Sequence, residues 1–575
     1  MSTPSTTTPY AETIRDDFPL QIEEISEKNI PLEKELPLTS DLESTAVSAN
    51  AVAPVEEHQD FGPKQPLTTV RLVLVFLGIF VTLFLSALDQ TIVTTTLPSI
   101  AAEFDNFSDI SWVGTAYLIT TTAVQPLYGI TSGMFGRKRT MLFACIIFLI
   151  GSALCGAAQS LIMLIIARTV QGLGGSGIVA LSMILVADIV PLRERGTYQG
   201  LVGLIYALAA VLGPLLGGVF ADNVTWRWAF YINLPIGTLA TALLMMFLHM
   251  NRRKNVPFLS NILSLDFTGI FLLVASIVMI LLGLNWAADA RYPWNSTTIL
   301  CLLIVGVLVG ILFVLNEWKH AKKPIIPLRL FKTLSLLFVY LNIFLQGFAF
   351  LGLMFFFPLY FQAVNEVSAI QFGIDLIPFV AMQAMVGFVT GILMSRWGTY
   401  KEFVVAGFGI GLVGSGLTTI LNENTSKGVV VVVLLIQGVS HGLTIATLLL
   451  AIHAQLENKS DVAFGTSLWV FLRTFGGVFG IAVGSALVQS SLSAAGASQY
   501  AQNIKAIAYL PEDVKGPVLR AFMERLRKFF ILLTAFSGVG FLSSLFIKKV
   551  TLGAKQKKQD GAGDGQTPEP ILIAE

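Results

Sequence analysis

Fourteen stretches of this chain are each about twenty residues long, mostly apolar and nearly free of charge. A bilayer core of about 30 Å takes roughly 20 such residues as a helix, so this pattern limits the fold more than any other feature. The stretches are 70–95, 110–130, 139–157, 161–186, 197–220, 228–249, 267–286, 297–316, 335–361, 371–395, 402–421, 429–452, 462–490 and 528–548. Inside lipid each backbone polar group must be satisfied within its own segment, which makes every one of them a helix. An all-α polytopic membrane protein is therefore expected. Composition agrees: 13% of the 575 residues are charged, where soluble domains carry about 25%. A soluble enzyme is excluded by that figure.

Residues 1–69 hold 13 acids and four bases, which disfavours nucleic acid as a partner and gives no polybasic anchor. That Ser/Thr/Pro/Glu-rich segment reads as a disordered tail with no cleavable signal, and 549–575 reads as a second tail. Cys145, Cys155 and Cys301 lie in or beside apolar runs without metal-ligand spacing. Neither a disulfide framework, a metal nor a cofactor is expected from them.

An even number of spans puts both termini on one side, and the basic residues say which. Arg137, Lys138, Arg139, Arg193, Arg195, Arg252, Arg253, Lys254, Lys319, Lys322, Lys323, Arg329, Lys332, Arg396, Lys401 and Lys459 follow even-numbered spans. The short loops after odd-numbered spans hold Arg227, Arg291 and Lys427. Lys and Arg accumulate in short cytoplasmic loops, so both termini are expected in the cytoplasm and the 491–527 loop outside. The glycosylation acceptors Asn106, Asn223, Asn295 and Asn424 then fall in external loops, and Asn458 inside.

The chain also repeats itself. Gly129 and Gly136 recur as Gly391 and Gly398, Gln171-Gly172 as Gln437-Gly438, and Gly196-Thr197 as Gly465-Thr466, in the same order and at nearly constant offset. Two similar six-helix halves follow, 70–250 and 335–548, with two extra spans inserted in the linker 251–334.

Several motifs carry a resemblance that covers most of the chain from about residue 70 to 550. Leu88-Asp89-Gln-Thr-Ile-Val-Thr-Thr-Thr-Leu-Pro98 resembles the first-span motif of the fourteen-span drug:proton antiporters of the major facilitator superfamily. Ala167-Arg168-Thr-Val-Gln-Gly172 and Leu212-Gly213-Pro214-Leu-Leu-Gly217-Gly218 are similar to their fourth-span and fifth-span motifs. Trp226-Arg227-Trp228-Ala-Phe-Tyr-Ile-Asn233-Leu-Pro-Ile-Gly237 resembles a stretch found in fungal members, many of which export secondary metabolites or antifungals. The resemblance implies the major facilitator fold, two six-helix bundles plus two inserted helices, fourteen in all. It also implies export of small hydrophobic or amphipathic compounds in exchange for protons, by a monomer in the plasma membrane, with the vacuolar membrane as the alternative.

An ionised carboxylate deep in a span costs at least about 2.5 kcal/mol and is expected to face the interior or a cavity. Asp89 is such a group, and burial that raises its pKa would suit a proton carrier. A carboxylate that bridges neighbouring helices is the other reading. Arg168 cannot lose its charge and must point inward to a carboxylate, a carbonyl or water. The resemblance gives Arg168 a part in proton transfer. In the fifth span Pro214 bends the helix while Gly213, Gly217 and Gly218 clear one face for close packing, a seam suited to gating. Ala209 stands where the family has another glycine.

The loop after the second span departs from the family pattern, Gly-x-Leu-x-Asp-x-x-Gly-Arg-Lys. Gly133 occupies the aspartate position, while Gly136, Arg137 and Lys138 remain. Without that acid the inner gate is expected to close less firmly, unless Asp188 or Glu194 supplies a partner. Tyr117, Gln125, Asn342, Gln346, Phe350 and Tyr360 form the candidate substrate surface, since rings and neutral amides suit bulky amphipathic ligands. Packing against lipid or other helices is the competing fate of those rings. Arg473 is a second candidate for a buried cation, and His441 and His453 lie in or near the twelfth span. No phosphate-binding loop supports ATP-driven transport. A proton-coupled importer or vacuolar carrier of an iron chelate or basic amino acid is the alternative within transport, and a non-transporting sensor or scaffold is the alternative outside it.

Overall fold

Each apolar run forms a helix, and most helices end where turn residues or charges interrupt the run. The structure is a computed structural model that describes residues 68–106, 109–250, 262, 264–288, 291–320, 324–364, 369–422, 425–458, 460–494 and 512–552. The tail residues 1–67 and 553–575, residues 495–511 of the 491–527 loop, and Asn424, Arg252, Arg253, Lys254, Lys322, Lys323 and Lys459 lie outside the described residues.

The long helices are α1 Thr69–Glu103, α2 Trp112–Phe135, α3 Arg137–Gly156, α4 Leu161–Ile189, α5 Arg195–Asn223 and α6 Trp228–Phe247. They continue as α7 Phe267–Ala288, α8 Thr297–Lys319, α9 Leu334–Val364, α10 Ala369–Trp397, α11 Lys401–Thr418, α12 Lys427–Gln455, α13 Asp461–Ala494 and α14 Glu512–Leu545. Twelve of them contain long apolar windows sufficient to cross a membrane; α2 and α11 fall short on apolarity. α2 is rich in Thr and carries Tyr117, Gln125 and Tyr128, all buried inside the bundle. α11 opens on Lys401 and Glu402 and is rich in glycine. A helix covered by other helices can be this polar, because protein rather than lipid meets its polar groups.

Several boundaries differ from the sequence reading. α1 continues through Pro98 to Glu103 instead of stopping at 95. α14 starts at Glu512 instead of 528, because a charged segment extends the helix ahead of its apolar window, Phe522–Leu545. Arg137, Lys138 and Arg139 sit in the first turn of α3 and not in a loop.

The internal repeat reappears as packing. In the first half α1 packs on α5, α2 and α3 on α4, and α3 and α1 on α6; in the second half α9 packs on α13, α10 and α11 on α12, and α11 and α9 on α14. The halves meet by the same symmetry, α5 against α10 and α2 against α13. α7 and α8 pair with each other, and α7 rests on both α2 and α13. Gly136 (φ 93°) and Gly398 (φ 68°), the repeated loop glycines, are the glycines with left-handed backbone among the described residues. A side chain there would be strained, which explains why both loops need glycine.

At the end of the molecule that carries the basic α2–α3 and α4–α5 connections, one apolar cluster joins the halves. Val179, Met183 and Val202 of the first share it with Tyr340, Met394 and Trp469 of the second. At the other end each half keeps its own cluster, around Ile92 and Phe230 in one and Phe356 and Phe529 in the other. The bundles are thus sealed together at the basic end.

Candidate functional site

The first half holds a buried polar network centred on the two charges singled out from the sequence. Asp89 is fully buried and Arg168 is 1% exposed. Arg168 Nη1 donates to Asp89 Oδ2 at 2.5 Å and to Gln171 Oε1 at 2.6 Å, and its Nε donates to the Val113 carbonyl at 2.9 Å. Gln171 Nε2 donates to Asp89 Oδ1 and to Ser152 Oγ, both at 2.7 Å. Asn233 Nδ2 reaches Ser152 Oγ at 3.0 Å and Asp89 Oδ1 at 3.4 Å. Val113 lies in α2, Ser152 in α3 and Asn233 in α6, so the network around this carboxylate ties the first four helices and α6 together.

Tyr117 covers this pair. The Arg168 guanidinium carbon lies 4.3 Å from the centre of its ring, and its hydroxyl is 3.3 Å from Ser86 Oγ. Gly175 makes room for it, since a Cβ there would stand 2.2 Å from the Tyr117 hydroxyl. Gln171, Ser152 and Asn233 are site residues that the sequence reading did not single out as such, although Gln171 belongs to the repeat and Asn233 to the Trp226–Gly237 motif.

Arg168 uses two nitrogens in different directions, and a lysine has only one. Arg168→Lys is therefore expected to lower transport at least tenfold at matched protein level. Near-normal turnover in a vesicle assay would show that positive charge alone suffices.

The seam in α5 lies on α1. A Cβ on Gly213 would be 2.0 Å from Thr91 Oγ1, and one on Gly217 would be 2.5 Å from the Ile92 carbonyl. Nothing stands within 4 Å of a Cβ on Gly218, and Pro214 lies inside the helix. Ala209 is fully buried, and its carbonyl accepts from Thr91 Oγ1 at 3.0 Å.

At the basic end Arg137 is 2% exposed and has an acid after all. Its Nε donates to Asp188 Oδ2 of α4 at 2.8 Å and its Nη1 to Ser132 Oγ at 2.7 Å. Lys138 Nζ donates to the Met245 carbonyl at 2.6 Å. A Cβ on Gly133 would lie 3.9 Å from Arg137 Nη1, so an aspartate there would be a second carboxylate on one guanidinium. Gly133→Asp is thus expected to change the balance of conformers less than twofold, and Asp188→Asn to change it more, read as labelling of cysteines introduced in the half of the bundle nearer the basic end. A large shift with Gly133→Asp alone would mean that Asp188 does not serve the gate.

The remaining candidates divide. Gln346 and Phe350 sit beside Arg473, and the Gln125 amide is buried in α2. Asn342 instead donates to Ser543 Oγ of α14 at 2.8 Å, and the Tyr360 hydroxyl to the Asn422 carbonyl at 3.0 Å. Both of those bonds stay within the second half. Asn106, Asn223 and Asn295 lie at the end away from the basic connections.

The sequence profile of the Major Facilitator Superfamily matches residues 79–481. The efflux pump dotC of Dothistroma septosporum is 34% identical over 507 residues, 86% of either chain. An MFS-type efflux pump of a Fusarium species is 36% identical over 527 residues, 88% of this chain and 92% of that one. Among solved structures, the human organic anion transporter MFSD10 superimposes with a TM-score of 0.55 at 16% identity, over 81% of this chain and 99% of its own. At that identity the likeness speaks for the fold alone. The matching profile and these relatives, which span nearly the whole length, agree with the paired helix packing: the chain belongs to the major facilitator superfamily.

Proposed function

We propose that the chain is a secondary transporter that exports small hydrophobic or amphipathic compounds in exchange for protons, as a multi-pass protein of the plasma membrane with both termini in the cytoplasm. The observation that carries this reading is a difference between the halves. Gln171 bonds Ser152 in the first half, and Gln437 bonds Ser415 at 3.2 Å in the second, at nearly the same offset in sequence. The second pair serves as a neutral brace. In the first half the same brace carries a carboxylate and a guanidinium, and apolar packing of similar volume would stabilise a bundle at least as well as a buried ion pair. Charges kept where they give no stability advantage point to a step that uses them.

That step is protonation of Asp89. Neutralising the carboxylate removes the counter-charge of Arg168, which still holds the Val113 carbonyl and Gln171 Oε1. The first four helices and α6 meet at this point, so the proton changes what holds them together. Gln90, the residue after Asp89, and Thr94, about one turn further along α1, are polar and exposed, which supports proton access from that side of the helix. The driving force is adequate: about 2.3 kcal/mol per charge at 100 mV and about 1.4 kcal/mol per pH unit support a gradient of a few hundredfold per proton. The names of the efflux-pump relatives favour export over import.

Inverted vesicles containing the protein, made acid inside and given a panel of hydrophobic toxins, test this directly. Accumulation that collapses with a protonophore is expected. Accumulation indifferent to the gradient would overturn proton exchange, and no accumulation of any compound would favour the sensor or scaffold reading.

A further inference from the structure

The second half holds another intramembrane cation that the coupling pair does not use. The Arg473 guanidinium carbon, on α13, stands 4.9 Å from the centre of the Phe350 ring and 5.8 Å from that of Trp469. Its Nε donates to Gln346 Oε1 at 3.3 Å. Among the described residues no carboxylate lies within ion-pair distance of it, whereas Arg168 has Asp89. Arginine stays charged at any working pH, so a guanidinium at this depth requires water or an anion that comes and goes.

The groups around it leave complementary valences open. Among the described residues, Gln346 Nε2 is buried without a hydrogen-bond partner. His441 on α12 hydrogen-bonds through Nδ1 to the Gln437 carbonyl at 2.9 Å. A carbonyl only accepts, so Nδ1 carries the proton and, in the neutral ring, Nε2 is an acceptor. That Nε2 is also buried and unpartnered among the described residues. Buried polar groups left open in this way are uncommon in native structures. The His441 ring lies 5.6 Å from Phe350 and 5.7 Å from Phe379, which sets flat apolar walls beside the open donors and acceptor. Arg473 also interacts electrostatically with Tyr206 of α5, which puts the cluster where the two halves face each other.

We propose that Arg473 anchors a substrate site for flat, amphipathic organic anions, namely aromatic carboxylates bearing a hydroxyl group. The fork of Arg473 and the Gln346 amide take the carboxylate. The rings of Phe350 and Trp469 flank the apolar body, and His441 Nε2 accepts from the hydroxyl. The inference rests on the export reading and narrows it. An anion leaving and a proton entering are both favoured by a membrane potential negative inside, so such a cargo suits the proposed exchange.

The test is binding to the full chain in nanodiscs by isothermal titration calorimetry, with three acids and their methyl esters: 6-hydroxy-2-naphthoate, salicylate and anthraquinone-2-carboxylate. The acids are expected to bind wild-type protein at least tenfold more tightly than their esters. Arg473→Gln should erase that preference and Arg473→Lys should keep part of it. His441→Leu should weaken the two hydroxylated acids and leave anthraquinone-2-carboxylate, which has no hydroxyl, within twofold. Absence of acid preference in wild-type protein, or an undiminished preference in Arg473→Gln, overturns the site. The wild-type comparison stands even where a variant fails to fold. Acid binding that depends on Arg473, without gradient-driven transport of the same acid in vesicles, would sink the export reading and leave the site intact. Transport equal in wild type and Arg473→Gln would do the reverse.

Discussion

Replacing Asp89 with Asn is expected to abolish uphill transport while substrate binding persists. Asparagine preserves the shape of the side chain, and its amide oxygen can still accept from Gln171 or Arg168. It cannot take up and release a proton, so no gradient reaches the network. It also leaves Arg168 as an uncompensated buried charge, a change that destabilises by about 3–5 kcal/mol when one partner of a buried pair is removed. Rates must therefore be compared at matched amounts of folded protein, checked by gel filtration. The distinguishing result is a split: accumulation against a gradient falls below one hundredth of wild type, while the dissociation constant of a transported compound changes less than about tenfold. Full uphill export by Asp89→Asn would remove this carboxylate from the mechanism and leave the pair as a helix brace.

The parts of this site that could be read from the sequence are those where one residue breaks a strong pattern. Asp89 and Arg168 stand out because an apolar run has no other use for a charge, and their meeting at 2.5 Å follows from the cost of leaving either alone. Gln171, Ser152 and Asn233 were harder to see. Small polar side chains satisfy themselves on their own helix turn, as Thr82 does on Gly78 and Ile79, so their presence in a span carries little signal. Asn342 and Tyr360 show the same limit from the other direction. Which way each points depends on the rotation of α9 within its bundle, and that rotation is set by packing contacts far away in sequence. The sequence offered both Asp188 and Glu194 as partners for the basic loop and could not choose between them, because Asp188 lies 51 residues from Arg137 and nothing local in either segment pairs them. The loop glycines, by contrast, were legible as a repeat because backbone geometry fixes them one residue at a time.

A valine at Gly391 is expected to have the second large effect, by preventing closure at the basic end. A Cβ there would stand 2.2 Å from the Gly196 carbonyl oxygen and 2.7 Å from its carbon. The contact is reciprocal, since a Cβ on Gly196 would stand 2.9 Å from the Gly391 carbonyl oxygen, and one on Gly200 would stand 2.7 Å from Phe388 Cα. All of these neighbours are backbone, so no side chain can swing away and α5 and α10 must separate. Overpacking of this kind costs about 1–3 kcal/mol, which moves a two-state balance by roughly 5- to 150-fold. Because α5 and α10 belong to different halves, the strain falls on the sealed conformer and leaves a conformer open at the basic end untouched. Cys301 is the exposed cysteine among the described residues, so the measurement uses a Cys301→Ser background with Val202→Cys, a position 5% exposed in the shared cluster. Labelling of that cysteine by a membrane-impermeant maleimide in inverted vesicles should rise at least fivefold in Gly391→Val, with transport down tenfold or more. Gly203→Val, where nothing lies within 4 Å of the added Cβ, is the control on the same helix as Gly196 and should do neither. Unchanged labelling and turnover in Gly391→Val would mean that the close approach of α5 and α10 is not what holds this end shut.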